Sequence, residues 1–261
     1  MKATITVRQR LRDASSYVCY YGRGGLSALS TVAVAIVAAE AFEAADLEQL
    51  RNAGTVTLGY VSLGQDAICA DAAWVRRSPE GAKLEDTVWG SQLVNPAHPD
   101  WQAHIARATS KLVQRGYSGL FLDTLDSALP EDQAALVGLI LELRQRYPHI
   151  PMVINRGFAL LPKLGQSIDG VMFESLSSTW QLGADGSVMC KLVDQETFYF
   201  NRQYAEKVSA YARSLGLLCL ALDYTDTPML AAHAKSVAVE LGYVSWCSDR
   251  LLTRLPDISA N

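Results

Sequence analysis

Gly119-Leu120-Phe121-Leu122-Asp123-Thr124-Leu125-Asp126 is an apolar run that stops on acids. A short apolar run without polar alternation is the pattern of a strand buried on both faces. The pattern recurs at residues 17–21, 31–38, 55–63, 152–156, 170–175, 218–224 and 243–248, which with 119–125 makes eight candidate strands. Helical stretches lie between them. Residues 43–53 carry Leu47 and Leu50 at helical spacing and stop before Gly54; 99–115 follow Asn95-Pro96 and stop at Gly116. Residues 130–147 open with Glu131 and Asp132 and close with Arg144 and Arg146, as the helix dipole favours. Residues 198–215 and 228–241 complete the set, and only the first unit, where 22–29 is short, lacks a clear helix.

Eight doubly buried strands alternating with helices in 261 residues point to a single (β/α)8 TIM barrel, an α/β fold. The rival is a doubly wound open sheet. It calls for GxGxxG after the first strand, whereas Tyr21-Gly22-Arg23-Gly24-Gly25 has another spacing and precedes no long helix. No linker or low-complexity stretch divides the chain, so residues 1–261 are expected to form one catalytic domain, with 1–15 a flexible or peripheral N-terminal segment. The long stretches 64–92 and 177–197 are expected to wall a cleft.

Composition narrows the partners. A net charge of −4 argues against nucleic acid, which demands a basic face. The most apolar stretch, 31–39, is too short to span a bilayer, so no membrane insertion is expected. Residues 1–16 are charged and mixed, unlike a secretory leader, which places the chain as written in the cytoplasm; a removed leader would place it in the periplasm or outside. The five cysteines (Cys19, Cys69, Cys190, Cys219, Cys247) are scattered and read as buried small hydrophobes, not a disulfide or zinc framework. The four histidines (His98, His104, His149, His233) fall in helices or flanking loops with no HxH or HExxH, so neither metal nor cofactor is expected. His98 reads as the cap of the helix that begins at 99. The oligomeric state is not legible.

In such a barrel the chemistry sits at the C-terminal ends of the strands. There the sequence places Asp123 and Asp126, Asn155 and Arg156, Glu174, Asp223 and Tyr224, and Asp249. A carboxylate behind an apolar run needs partners or a task. Capping a helix, or pairing with Arg156, is the structural alternative for each acid. Asp126, Asp223 and Asp249 read as supporting or substrate-binding acids. Asp123 and Glu174, on the fourth and sixth strands, face each other across the mouth, with Arg156 between them to hold one ionised or to bind substrate. Two opposed carboxyls with separated pKa values are what glycosidic cleavage needs. Tyr20, Tyr21, Tyr60, Trp74, Trp89, Trp180 and Tyr224 lie at strand ends or in loops where rings can stack on sugar faces, whereas Trp101 and Trp246 read as core.

Six ordered segments carry a resemblance across almost the whole chain. They are Tyr20-Tyr21-Gly22, Gly59-Tyr60-Val61-Ser62-Leu63-Gly64, Val94-Asn95-Pro96-Ala97-His98-Pro99-Asp100-Trp101, Gly119 to Asp126 as quoted, Asn155-Arg156-Gly157-Phe158 and Phe173-Glu174-Ser175-Leu176. In these the chain resembles the polygalactosaminidase-like glycoside hydrolases. The resemblance implies a TIM barrel and endo-cleavage of α-1,4-linked galactosamine or N-acetylgalactosamine polysaccharide, with the catalytic acids on Asp123 and Glu174. By analogy with α-retaining barrels, Asp123 is the nucleophile and Glu174 the acid/base. The expected substrate-binding set is Tyr21, Tyr60, Gln65, Asp126, Asn155, Arg156, Trp180, Asp223 and Tyr224. Gln65 stands where many relatives carry an acid, which bears on sugar preference at that subsite more than on catalysis. Relatives are also commonly exported. Two alternatives stand beside this reading: a catalytically silent carbohydrate-binding barrel, and a barrel hydrolase acting on a different glycan.

Overall fold

Strands with no polar face have to bury both faces, and eight of them do so here by closing around one another. The computed structural model describes residues 5–69 and 71–257. Its barrel strands are β1 (Tyr17–Tyr20), β2 (Val34–Val37), β3 (Val56–Ser62), β4 (Gly119–Asp123), β5 (Met152–Asn155), β6 (Gly170–Glu174), β7 (Leu218–Tyr224) and β8 (Val244–Ser248). They pair in parallel in chain order. β8 returns against β1, and beyond the strand ends the Tyr21 N–H donates to the Leu252 carbonyl at 2.7 Å. The result is a nearly closed (β/α)8 barrel. The alternation of strand side chains divides the core in two. Cys19, Ile36, Leu58, Phe121, Val153, Met172 and Leu220 fill the interior, while Val18, Leu120, Leu122, Ile154, Val171 and Ala221 pack outward beneath the helices.

The helices are α1 (Val7–Arg12), α2 (Leu26–Leu29), α3 (Ala44–Asn52), α4 (Pro99–Arg115), α5 (Gln133–Arg146), α6 (Leu161–Leu164), α7 (Gln195–Leu215) and α8 (Pro228–Glu240). α4 keeps both expected ends: His98 Nδ1 accepts the Asp100 N–H at 3.2 Å, and Gly116 ends the helix at φ 109°. Two expectations shift. Residues 31–33 precede the second strand, which begins at Val34, and the expected helix 130–147 starts as a 3₁₀ turn, Pro130–Asp132. The long stretches also hold structure of their own. Gln65–Asp66, Ser91–Leu93 and Glu85–Asp86 form a small antiparallel sheet, and Ser178–Leu182 pairs with Val188–Leu192 as a hairpin. No described helix is long and apolar enough to cross a membrane.

The N-terminal segment departs most from expectation. Residues 1–4 lie outside the described residues, but from Val7 to Arg12 the segment is a docked helix, with Leu11 fully buried in the barrel's inner cluster. Arg8 and Arg12 reach the fully buried Asp169 at 2.7 and 3.0 Å, and Arg144 of α5 reaches its other oxygen at 2.7 Å. The Met152 N–H donates to the same carboxylate at 3.1 Å. One buried acid thus ties α1 and α5 to the starts of β5 and β6, at the end of the barrel away from the mouth. Removing the anion leaves three guanidiniums crowded without it. Asp169→Ala is expected to lower unfolding free energy by roughly 3–5 kcal/mol in a denaturant titration, whereas Asp169→Asn, which keeps the shape, should lose less.

Candidate active site

Extending the inward parity of each strand by one step places a polar ring on the apolar floor. Above Cys19, Phe121, Met172 and Leu222 stand Tyr21, Tyr60, Asp123, Asn155, Glu174 and Tyr224, lining one cleft. Three neighbouring strands end in the same way. Asp123, Asn155 and Glu174 are each followed by a residue in the left-handed region: Thr124 at φ 65°, Arg156 at 51° and Ser175 at 56°. Side chains other than glycine rarely adopt that conformation. The turn it makes carries the backbone away from the mouth directly after each ring residue. Gly64 accommodates the first turn, since a Cβ there would stand 2.2 Å from the Thr124 carbonyl oxygen. The Gly64 N–H and Ser62 Oγ both meet Thr124 Oγ1, at 2.8 and 2.9 Å.

Asn155 lies between the two acids. Its Nδ2 donates to Asp123 Oδ1 at 2.8 Å and to Glu174 Oε2 at 2.6 Å. Because both bonds share one nitrogen, the two acceptor oxygens stand no more than about 5.4 Å apart. A flipped amide would aim its carbonyl at two carboxyls, so the donors must face the pair. The Asn155 Oδ1 is buried without a protein partner. Asp123 Oδ1 also accepts the Thr124 N–H at 2.7 Å, and Glu174 Oε1 accepts the Tyr224 hydroxyl.

This corrects the expected place of Arg156. Its parity is outward, and its Nε pairs with Asp126 at 2.7 Å while an Nη donates to the Glu174 carbonyl oxygen at 2.9 Å. The guanidinium lies over Phe158 and Phe173, 5.7 and 5.4 Å from the ring centres. Arg156 and Asp126 are therefore rim residues of the cleft and touch neither opposed carboxylate. Asp223 is corrected too: it is fully buried, and its Oδ1 accepts the N–H groups of Ser177 and Ser178 at 2.8 and 2.7 Å, which pins the hairpin's start. Gln65 lines the cleft, with Oε1 accepting the Ser91 hydroxyl at 2.6 Å. Trp180 meets Trp89 edge-on at 5.4 Å, and Arg250 lies over both indoles, at 4.2 and 5.1 Å. Of this stack only Trp89 lines the cleft. Asp249 accepts the N–H groups of Leu251 and Thr253 and serves as a turn acid. Tyr20 packs outside, with its hydroxyl on the Arg23 carbonyl. The bridging role of Asn155 and the Arg250 stack were not anticipated; strand parity carries a signal for the first and none for the second.

The model of glycoside-hydrolase family GH114 matches residues 9–250. The chain belongs to that family. The glycoside hydrolase domain of PelA from Pseudomonas aeruginosa is similar at 28% identity, covering 93% of this chain and 97% of that one with a TM-score of 0.77. Ega3 of Aspergillus fumigatus, solved in complex with galactosamine, shares the fold at 12% identity, with 94% and 95% coverage and a TM-score of 0.68. An uncharacterized protein of Methanocaldococcus jannaschii is 25% identical over 136 residues, 47% of this chain, and the match spans 38% of that relative's length.

In this GH114 barrel the ring's electrostatics follow from burial. Burial first, then the Glu174 charge, pushes the Asp123 carboxyl up to about 6, against the pull of Asn155, the Thr124 N–H and Tyr60. Burial, reinforced by the nearby carboxylates, raises Tyr60 and Tyr224 far above the ordinary phenol, so both remain neutral. Among the described residues no three His, Cys, Asp or Glu side chains gather as a metal site. The raised carboxyl has a consequence for stability. Folded Asp123 binds its proton more tightly than the unfolded chain does, so this group's contribution falls as pH rises from about 4 through about 6. Asp123→Asn is therefore expected to raise the melting temperature at pH 7.5 and to leave it nearly unchanged at pH 4. Equal shifts at both pH values would contradict this account.

Proposed function

We propose that this GH114 protein is an endo-acting hydrolase of α-1,4-linked galactosamine or N-acetylgalactosamine polysaccharide that works with retention through Asp123 and Glu174. The observation that carries the reading is the shared Asn155 amide. It limits the facing carboxyl oxygens to about 5.4 Å, in keeping with the about 5–5.5 Å of retaining pairs and short of the roughly 6.5–9.5 Å that an inverting water requires. Membership of GH114, together with the six motifs that resemble polygalactosaminidase-like hydrolases, supports the amino-sugar polymer as the substrate class.

In this mechanism Asp123, fixed by Asn155 and the Thr124 N–H, attacks the anomeric carbon, and Glu174 protonates the departing glycosidic oxygen. The bond to the leaving sugar breaks as the Asp123 ester forms. Glu174 then takes a proton from a water whose oxygen bonds to the anomeric carbon, and the bond to Asp123 breaks, which releases the sugar and restores both carboxyls. Attack requires the proton of the pair to reside on Glu174 while Asp123 is ionised. The neutral Tyr60 hydroxyl, the Asn155 amide and the Thr124 N–H favour charge on Asp123, against the burial that raises it. Gln65, neutral beside the cleft, places no full charge at its subsite.

Incubating the protein with partially deacetylated α-1,4-galactosamine polymer is expected to give a ladder of oligomers by mass spectrometry, and Asp123→Ala or Glu174→Ala should reduce the rate at least about 10³-fold. Polymer binding with no new reducing ends would instead support the silent-barrel reading. Azide tests the division of roles. It should rescue Asp123→Ala with a β-glycosyl azide as product and Glu174→Ala with an α-glycosyl azide; the opposite pairing would reverse the two assignments.

A further inference from the structure

Outside the cleft, the first turns of α7 present three rings to solvent. Tyr199, Phe200 and Tyr204 are 60, 55 and 53% exposed. Phe200 and Tyr204 are four residues apart and so share one stripe of the helix, while Tyr199 meets Phe200 edge-on at 6.1 Å. The stripe does not stand alone. The Tyr204 ring lies 6.0 Å from Phe158, and Phe158 lies under the guanidinium of Arg156, which lines the cleft. Aromatic and guanidinium planes therefore run without a break from the cleft rim to the outer face of α7. The helix is also tied to the loop that follows Glu174: Asn201 Nδ2 donates to the Ser175 and Leu176 carbonyls, both at 3.0 Å.

We propose that this stripe is a second glycan-binding surface, on which a polysaccharide chain leaving the cleft past Arg156 lies. Flat rings, two of them with hydroxyls at their edges, suit the C–H faces and rims of sugar units. An anionic partner would find little here besides Lys207, because Arg202 is already engaged by Glu206 and Glu240. The surface explains how a long chain is held while one bond is cut: units beyond the cleft stack on α7, so affinity grows with chain length whereas turnover of a short oligosaccharide does not depend on it. The inference rests on the amino-sugar polymer reading above.

The test separates the two. In a Glu174→Gln background, which preserves the polymer, affinity electrophoresis through gels containing partially deacetylated α-1,4-galactosamine polymer compares Tyr199→Ser/Phe200→Ser/Tyr204→Ser with its parent. The triple change should weaken retardation about tenfold. In otherwise wild-type protein, it should leave turnover of a short galactosamine oligosaccharide within about twofold. Unchanged retardation, or an equal loss in both assays, overturns the proposal. So does a wild-type dimer in sedimentation that the triple change converts to monomer without altering retardation, since the stripe would then bind a second copy. Should the triple variant fail to melt cooperatively, the single changes Tyr199→Ser and Phe200→Ser carry the same comparison. Failure of the substrate reading looks different: the wild type neither cleaves the polymer nor is retarded by it.

Discussion

The two hydrogens of Asn155 Nδ2 go one to Asp123 and one to Glu174, and the shape of the mouth follows from that sharing. Two carboxylate oxygens no more than about 5.4 Å apart repel by roughly 3 kcal/mol or more at an effective dielectric near 20. A lysine or arginine between them would remove the repulsion by stabilising both charges, and neither acid would then hold a proton at neutral pH. The amide is neutral. It orients both groups and lowers the cost of ionising either one, yet the mutual repulsion stays. Burial first, and then that repulsion, raise the Asp123 carboxyl to about 6. The pair therefore holds one proton to a higher pH than an isolated carboxyl would.

The backbone supports the arrangement at some cost. Thr124, Arg156 and Ser175 each occupy the left-handed region immediately after a ring residue, at roughly 1 kcal/mol or more apiece. Thr124 is β-branched, which makes its conformation the most costly of the three, and it is also the best supported: Ser62 Oγ and the Gly64 N–H both meet its hydroxyl. At β5 the turn is doubled. Gly157 follows Arg156 at φ 58°, where a Cβ would lie 2.8 Å from that of Leu125. These turns stop each strand at the residue that faces the cleft and send the next side chain outward. Arg156 therefore reaches Asp126 and the rim, while Asn155 stays inside.

The strands were legible because burial on both faces leaves an unmistakable apolar run, and their ends because acids stop those runs. Asp123, Glu174, Tyr21, Tyr60, Asn155 and Tyr224 all line the cleft. The placement of Arg156 between the acids followed a charge-pairing argument where a count of two would have served better. Phe121 and Asp123, Val153 and Asn155, and Met172 and Glu174 share one face, so Arg156 cannot. The same count sends Asp223 outward and Tyr224 inward. Alternation in a doubly buried strand leaves no polarity pattern, which is why its parity is easily overlooked. The hairpin and the small sheet were illegible for another reason: their strands are short, irregular in polarity and paired through loop geometry. The docked helix α1 owes its position to Asp169, over 150 residues away in sequence, and no local signal marks that partnership.

Two arginines at the mouth pack on different aromatic pairs. Arg250 lies against Trp89 and Trp180, so the excursion after β3, the hairpin after β6 and the segment after β8 meet in one stack. Cation–π contacts of this kind contribute about 0.5–2 kcal/mol each, enough to hold three loops together over that part of the mouth. Arg156 lies instead on Phe158 and Phe173 and pairs with the exposed Asp126 at the rim beyond β5. In the proposed reading, a polymer that leaves the cleft past Arg156 meets the exposed rings of α7.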